Sequence, residues 1–189
     1  MIEIIVLIIC FLLFTLVGFI VGRAIIKKQS IIGRPPVPVF FFILAKILVL
    51  TCLVFLLLRG LNINTGRLFI KTSYIDLIAL LLLITGTVIV FLSTLQLNTD
   101  LIFGLSSSDK HKLQTKGIYA FSRHPFYAGF LFILFSSCLL NPHFLNIIAF
   151  AGAWLIHHFI MIGEEEFLTS QYGEEYKSYA KNVNRYITF

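Results

Sequence analysis

Five long apolar runs dominate this chain, and they settle which solvent it is built for. They cover Ile2–Gly22, 38–58, 74–92, Pro125–Leu140 and 144–163, and between them they carry three charged side chains, Glu3, Lys46 and Asp76. The hydrocarbon layer of a bilayer is about 30 Å thick and a helix rises about 1.5 Å per residue, so a spanning helix needs about 20 mostly apolar residues. Within lipid every backbone N–H and C=O must find a partner in the protein, and a helix supplies these partners from its own backbone. The expected fold is all-α: a multi-spanning membrane helix bundle of about five transmembrane helices. Composition agrees, since the 189 residues are 58% hydrophobic and 13% charged, against about half and a quarter in a soluble domain. The fourth run is short and ends at Asn141-Pro142, a turn signal, so the fourth and fifth runs form a helical hairpin.

Charge then orients the bundle. No basic residue precedes the first run, which is also longer than the apolar region of a secretory signal, so it reads as an uncleaved span. Arg23, Lys27, Lys28 and Arg34 follow it, and the positive-inside rule puts the N-terminus outside. The weaker basic loop with Arg59, Arg67 and Lys71 falls outside. The segment with Lys110, Lys112, Lys116 and Arg123 falls in the cytoplasm, as does the tail with Lys177, Lys181 and Arg185. The net charge of +6 arises from this bias toward anionic lipid and makes no case for nucleic acid. Cys10, Cys52 and Cys138 lie within apolar runs and read as small hydrophobes. Gly18 and Gly22 form a small-xxx-small helix contact, within one chain or between two. Lys46 is expected to snorkel to the nearer interface, the alternative being a polar cavity inside the bundle.

The chain reads as a single integral-membrane domain, 1–189, with two N-terminal spans in 1–72 and the polar motifs in 73–189. Two regions break the apolar pattern, 93–122 and Glu164 to the end. In the constellation that spans the end of the first, His111 to Gly129, Pro125 suits the opening turn of a helix, and the residue before it, His124, is driven toward extended backbone. Arg123 and His124 therefore form the lip of the fourth span. Free N–H groups and positive dipole at a helix start attract carboxylate or phosphate. Gly117 permits a turn, and Tyr119, Phe121, Phe126 and Tyr127 add aromatic faces. Together they suit a ligand anionic at one end and flat or cationic at another; singly, such residues are also common interface anchors.

The second region is Glu164 to the tail. Gly163 is expected to end the fifth span, so that Glu164, Glu165 and Glu166 open a following amphipathic helix over 164–183. That helix has Leu168, Tyr172, Tyr176, Tyr179 or Ala180, and Val183 on one face, with Gly173 a weak point. The other reading sets the acids against the basic lip, where the two hold a zwitterion. No G-x-G-x-x-G, P-loop, G-x-S-x-G or H-E-x-x-H motif occurs. His158 and Glu165 are about two turns apart, too far for one ion, so no metal is expected.

The pattern H-x-L-x-x-x-G-x-Y-x-x-x-R-H-P-x-Y-x-G is met by His111, Leu113, Gly117, Tyr119, Arg123, His124, Pro125, Tyr127 and Gly129. A second, E-E-x-x-L-x-x-x-x-G-x-x-Y-x-x-Y, is met by Glu164, Glu165, Leu168, Gly173, Tyr176 and Tyr179. In this order and spacing the two resemble the isoprenylcysteine carboxyl methyltransferase family of membrane enzymes and the related phospholipid methyltransferases. The resemblance implies S-adenosylmethionine as cofactor, held from the cytoplasm by His111, Lys112, Leu113, Gln114, Tyr119, Arg123, His124, Pro125, Phe126 and Tyr127. It implies catalysis near Glu164 and Glu165, with Glu164 also facing the acceptor. That acceptor is a lipophilic or prenylated substrate from the bilayer, first of all the carboxylate of a prenylated cysteine. Methylation of a lipid amine and a non-catalytic membrane binding protein are the rival readings. Three departures stand out: Ile160 where the family often has Arg, Tyr186-Ile187-Thr188 where it has x-x-P after Arg185, and no Trp ahead of the first motif.

Overall fold

The computed structural model describes residues 2–26, 34–66, 68, 72–97 and 113–188. Six helices follow one another: α1 (Ile2–Ile26), α2 (Val39–Gly60), α3 (Ser73–Leu97), α4 (Pro125–Leu140), α5 (Phe144–Tyr172) and α6 (Glu174–Asn182). No strand occurs among the described residues. Helices α1, α2, α3 and α5 are long and apolar enough to cross a membrane, and α4 is a fifth, shorter apolar helix of 16 residues. The bundle expected from the apolar runs is present. Helix α4 packs along α3 and also meets α2 and α5, α2 lies along α5, and α1 leans on α2 and α3. Apolar side chains cover the outside of the bundle, Phe11, Phe14, Phe40, Ile78 and Ile148 among them, as lipid contact requires.

Lipid gives helices no hydrophobic reason to associate, so close packing and polar contacts must hold them. Both are present. Gly86 of α3 and Gly129 of α4 face each other so closely that a Cβ on Gly129 would lie 2.8 Å from the Gly86 carbonyl oxygen. A Gly129→Ala variant is therefore expected to lose about 1–3 kcal/mol of stability by overpacking. Gly18→Ala, with nothing within 4 Å of the added carbon, should leave unfolding in detergent unchanged. The open surroundings of Gly18 and Gly22 among the described residues also mean that this pair makes no close contact within the monomer.

Polar contacts gather at the hairpin turn. Ser136 Oγ donates to the Ala79 carbonyl and Ser137 Oγ to the Cys52 carbonyl, each at 2.7 Å. Asn146 Nδ2 donates to Ser137 Oγ at 3.1 Å and to the Asn141 carbonyl at 3.0 Å. Asn141 Nδ2 reaches the Phe55 carbonyl at 3.3 Å. Each such bond contributes roughly 0.6 kcal/mol in a membrane protein, and together they tie α4 and α5 to α2 and α3. At the same end Arg59, expected in a loop, is buried in α2 and pairs with Glu3 of α1 at 2.7 Å. The helix runs past residue 58 because this ion pair lets an arginine stay at the bundle edge.

A larger correction concerns Gly163. It does not end the fifth helix: α5 continues unbroken to Tyr172, and Glu164 to Glu166 lie within it. Gly163 is instead a point of close approach, where an added Cβ would sit 2.8 Å from the Pro36 carbonyl oxygen. The chain turns at Gly173, whose φ of 54° is a left-handed value that glycine adopts without steric cost. The amphipathic tail helix is thus the nine-residue α6, with Tyr176 and then Val183 buried.

Candidate active site

The site lies where α4 begins and α5 leaves the bundle. Upstream of it Gly117 takes φ 64°, and any side chain there would run into Gln96. Gln96 Oε1 accepts from Ile118 N at 3.0 Å, so the end of α3 anchors the short 3-10 turn Gly117–Ala120. The next four residues run beside the C-terminal tail. Arg123 N donates to Asn184 O at 3.0 Å, His124 N to Arg185 O at 3.3 Å, and Thr188 N to Phe121 O at 2.8 Å. Tyr179 Oη, from α6, donates to the Tyr119 carbonyl at 2.6 Å. The amides of Arg123 and His124, expected to be open to an anion, are thus committed to tail carbonyls. Pro125 opens α4 as expected, with His124 as its N-cap.

Because α5 is continuous, Glu164 and Glu165 project from one rigid helix toward two sets of partners. Tyr127 Oη donates to Glu164 Oε1 at 2.6 Å, and His124 Nδ1 lies 3.5 Å from Glu164 Oε2. Glu165 takes a two-pronged contact from Arg185, with Nε and Nη2 at 2.7 and 2.8 Å. Arg123 Nη2 approaches the same carboxylate at 3.1 Å. Forked arginine–carboxylate pairing of this kind is among the stronger charged contacts a protein makes. The ring of His124 therefore bridges two acids on successive residues. Glu166 faces solvent.

Three buried polar atoms at this end have no hydrogen-bond partner: Arg123 Nε, His124 Nε2 and the Tyr176 hydroxyl. His124 Nε2 lies 3.2 Å from Glu165 Oε1, near enough for charge pairing but out of line for a hydrogen bond. Buried donors left unbonded cost free energy and leave room for a partner. Aromatic rings line the same region: Tyr127 lies 5.8 Å from the His124 ring and 5.6 Å from that of His157.

Burial opposes a charge on His124, but the carboxylates of Glu164 and Glu165 beside it outweigh burial and raise its pKa. A raised folded pKa stabilises the fold fully below the ordinary imidazole value of about 6.5 and loses that contribution as pH rises through the folded value. Wild-type stability in detergent should therefore fall above neutral pH more steeply than that of His124→Gln. Parallel pH curves for the two proteins would contradict the bridging role of His124. Burial also pushes the Tyr179 hydroxyl up to about 12, which keeps it a neutral donor to the lip.

Of the residues singled out in the sequence, Arg123, His124, Tyr127, Glu164 and Glu165 come together here. Pro125 and Phe126 form the first turn of α4 beside them, and Tyr119 is buried next to Tyr179. Leu113 and Gln114 are half-buried at the approach to the 3-10 turn; His111 and Lys112 lie outside the described residues. Arg185, Tyr179, His157 and the stacked pair of His158 and Tyr186, whose Nδ1 and Oη are 2.8 Å apart, had no place in the site expected from the sequence. The carboxylate of Glu165, too near lipid to stand alone, was the available signal for Arg185. Among the described residues no three His, Cys, Asp or Glu side chains converge as a metal site would require.

Fold and site together define an all-helical membrane bundle with a charged, aromatic-lined site at one end. Residues 75–175, just over half of the chain, match the phospholipid methyltransferase family, and the chain belongs to that family. It is 29% identical over 119 residues to a probable protein-S-isoprenylcysteine O-methyltransferase of Oryza sativa subsp. indica, covering 61% of this chain and 62% of that protein. Methanethiol S-methyltransferase 1 of Bradyrhizobium diazoefficiens is 31% identical over 112 residues, 54% of this chain and 38% of the relative. A protein-S-isoprenylcysteine O-methyltransferase of Dictyostelium discoideum is 38% identical over 78 residues, 40% and 32% of the two chains. The matched segment thus spans less than two thirds of the length of these curated relatives. No solved structure matches the chain.

Proposed function

We propose that this protein is an integral-membrane methyltransferase that moves a methyl group from S-adenosylmethionine to a lipophilic acceptor. The observation that carries the reading is the pair of buried, unbonded donors, Arg123 Nε and His124 Nε2, beside two carboxylates and the Tyr127 ring. An amino acid headgroup asks for this mixture: donors for its carboxylate and an acid for its ammonium. In this reading Arg123 and His124 hold the carboxylate end and Tyr176 lends its unbonded hydroxyl. The face of Tyr127 favours a cationic centre by about 0.5–2 kcal/mol. His111, Lys112, Leu113, Gln114, Tyr119, Pro125 and Phe126 complete the cofactor side. S-adenosylmethionine, when bound, supplies a methyl group activated by a sulfonium.

The chain's own contribution is alignment, because a displacement needs its reacting atoms in line and held close. The paired helices α4 and α5 supply a rigid frame for that. The leading acceptor is the carboxylate of a prenylated cysteine, in keeping with the names of the Oryza and Dictyostelium relatives. A carboxylate is already an anion and needs no base. The alternative acceptor, a lipid amine, fits the family's description and must shed a proton, for which Glu164 is the candidate base. The basic loops favour a cytoplasmic site and C-terminus.

Membranes containing the protein, incubated with methyl-tritiated S-adenosylmethionine, are expected to yield base-labile label in a lipophilic product. Base-stable label would move the assignment to an amine. Glu164→Gln separates the two further: transfer to a carboxylate should persist within about tenfold, whereas loss of a general base costs about 10²–10⁴.

A further inference from the structure

The methyl-donor site leaves a buried imidazole unused, that of His157. It lies near the middle of α5 and is 5% exposed, and Ala153, Ile160 and Met161 beside it on the same helix face are fully buried. An ionisable side chain at membrane depth is costly, and such residues mark the paths of ligands and protons. His157 Nδ1 is 2.7 Å from the Ala153 carbonyl oxygen, and this is the ring's one hydrogen bond among the described residues. A carbonyl can only accept, so Nδ1 carries the hydrogen, and in the neutral ring Nε2 is a bare acceptor. A second proton would place a charge at membrane depth, so the neutral form is the one that fits.

The His157 ring lies 5.6 Å from that of Tyr127, whose hydroxyl donates to Glu164 Oε1 at 2.6 Å. His157 and Glu164 are seven residues apart on an unbroken helix. Two turns bring them to the same face, about 10 Å apart along the axis, and Tyr127 spans the interval. Both oxygens of Glu164 are engaged, one by Tyr127 Oη and the other by His124 Nδ1 at 3.5 Å. His157 Nε2 is the uncommitted acceptor beside the Tyr127 ring. Left unbonded in apolar surroundings it costs free energy, and its complement is a hydrogen-bond donor. Both candidate acceptors carry one as N–H: a prenylated cysteine in the amide two bonds from its carboxylate carbon, a lipid amine in its ammonium. We propose that His157 is a specificity-determining residue whose Nε2 receives an N–H of the lipophilic acceptor and so holds the reacting group against the Tyr127–Glu164 pair. This assignment rests on the methyl-transfer reading for its purpose, but the binding it describes stands apart from turnover.

The test needs no cofactor and no activity. Binding of N-acetyl-S-farnesylcysteine and of its N-methylated amide, which keeps the carboxylate and loses the N–H, is measured on the full chain in detergent micelles. Lysophosphatidylethanolamine and lysophosphatidylcholine, with and without N–H on the headgroup, form a second pair. In one pair the wild type should prefer the N–H member by about tenfold, the size of one hydrogen bond. His157→Phe keeps a ring and should abolish that preference, with affinity for the member lacking N–H unchanged. His157→Gln, which offers an acceptor oxygen, should restore part of it. Preference within the farnesyl pair identifies the group received as the amide of a prenylated cysteine, and preference within the lysolipid pair identifies it as a lipid ammonium. Equal binding within both pairs, or a preference that survives in His157→Phe, overturns the proposal. Loss of affinity for the members without N–H in His157→Phe would overturn it too, by showing that His157 acts through the fold. Should the preference depend on His157 while S-adenosylmethionine fails to bind, the methyl-transfer reading falls and the role of His157 stands.

Discussion

A Glu165→Ala variant is expected to lose about 3 kcal/mol of stability, because removing one member of a buried charge network leaves its partners uncompensated. Glu165 is 14% exposed, and it is approached by Arg185 at 2.7 Å, Arg123 at 3.1 Å and His124 at 3.2 Å. Those three cations come from the α4 lip and the tail, so the carboxylate is the clasp that closes the C-terminal tail onto the bundle. Glu165→Gln, which keeps an oxygen for Arg185 but loses the charge, should fall between wild type and Glu165→Ala. Glu166→Ala, one residue on and exposed, should be within about 0.5 kcal/mol of wild type. Unfolding titrations in detergent read all three. If the Glu165 and Glu166 variants unfold alike, the clasp has been misjudged.

His124→Ala and Tyr127→Phe should weaken binding of S-adenosylhomocysteine, the first by about 10- to 100-fold and the second less. The larger figure follows from a hydrogen bond to a charged group, about 1.5–3 kcal/mol. The smaller one reflects that Tyr127→Phe keeps the aromatic face and loses only the hydroxyl that orients Glu164 at 2.6 Å. Both variants must first show a cooperative unfolding transition and the helical circular dichroism of the wild type, so that a loss of affinity is not a loss of structure. Full affinity in both folded variants would put the cofactor elsewhere.

The helices were legible because lipid imposes one rule, a long apolar run, and the chain obeys it almost without exception. What escaped were the places where a polar side chain is stabilised by a partner far away in sequence. Arg59 read as a loop residue because Glu3, its partner, is on another helix. Gly163 read as a helix end because nothing local shows that Pro36 presses against it. The site divided along the same line. His124, Tyr127 and Glu164, which the fold brings together, carry local signals: a proline at a helix start, aromatic residues at a boundary and an acidic run. Arg185 and Tyr179 join them only when the tail folds back to pair with Phe121 to His124. The amides of the α4 lip look open in the sequence for the same reason, since local sequence cannot show which distant carbonyls will claim them.

Whether the lip and acids hold the methyl donor is read by titrating the purified wild-type protein with S-adenosylmethionine and with S-adenosylhomocysteine in a calorimeter. Saturable binding of both, at one site per chain and lost in His124→Ala, is the predicted result. No detectable binding of either compound at millimolar concentration would contradict it.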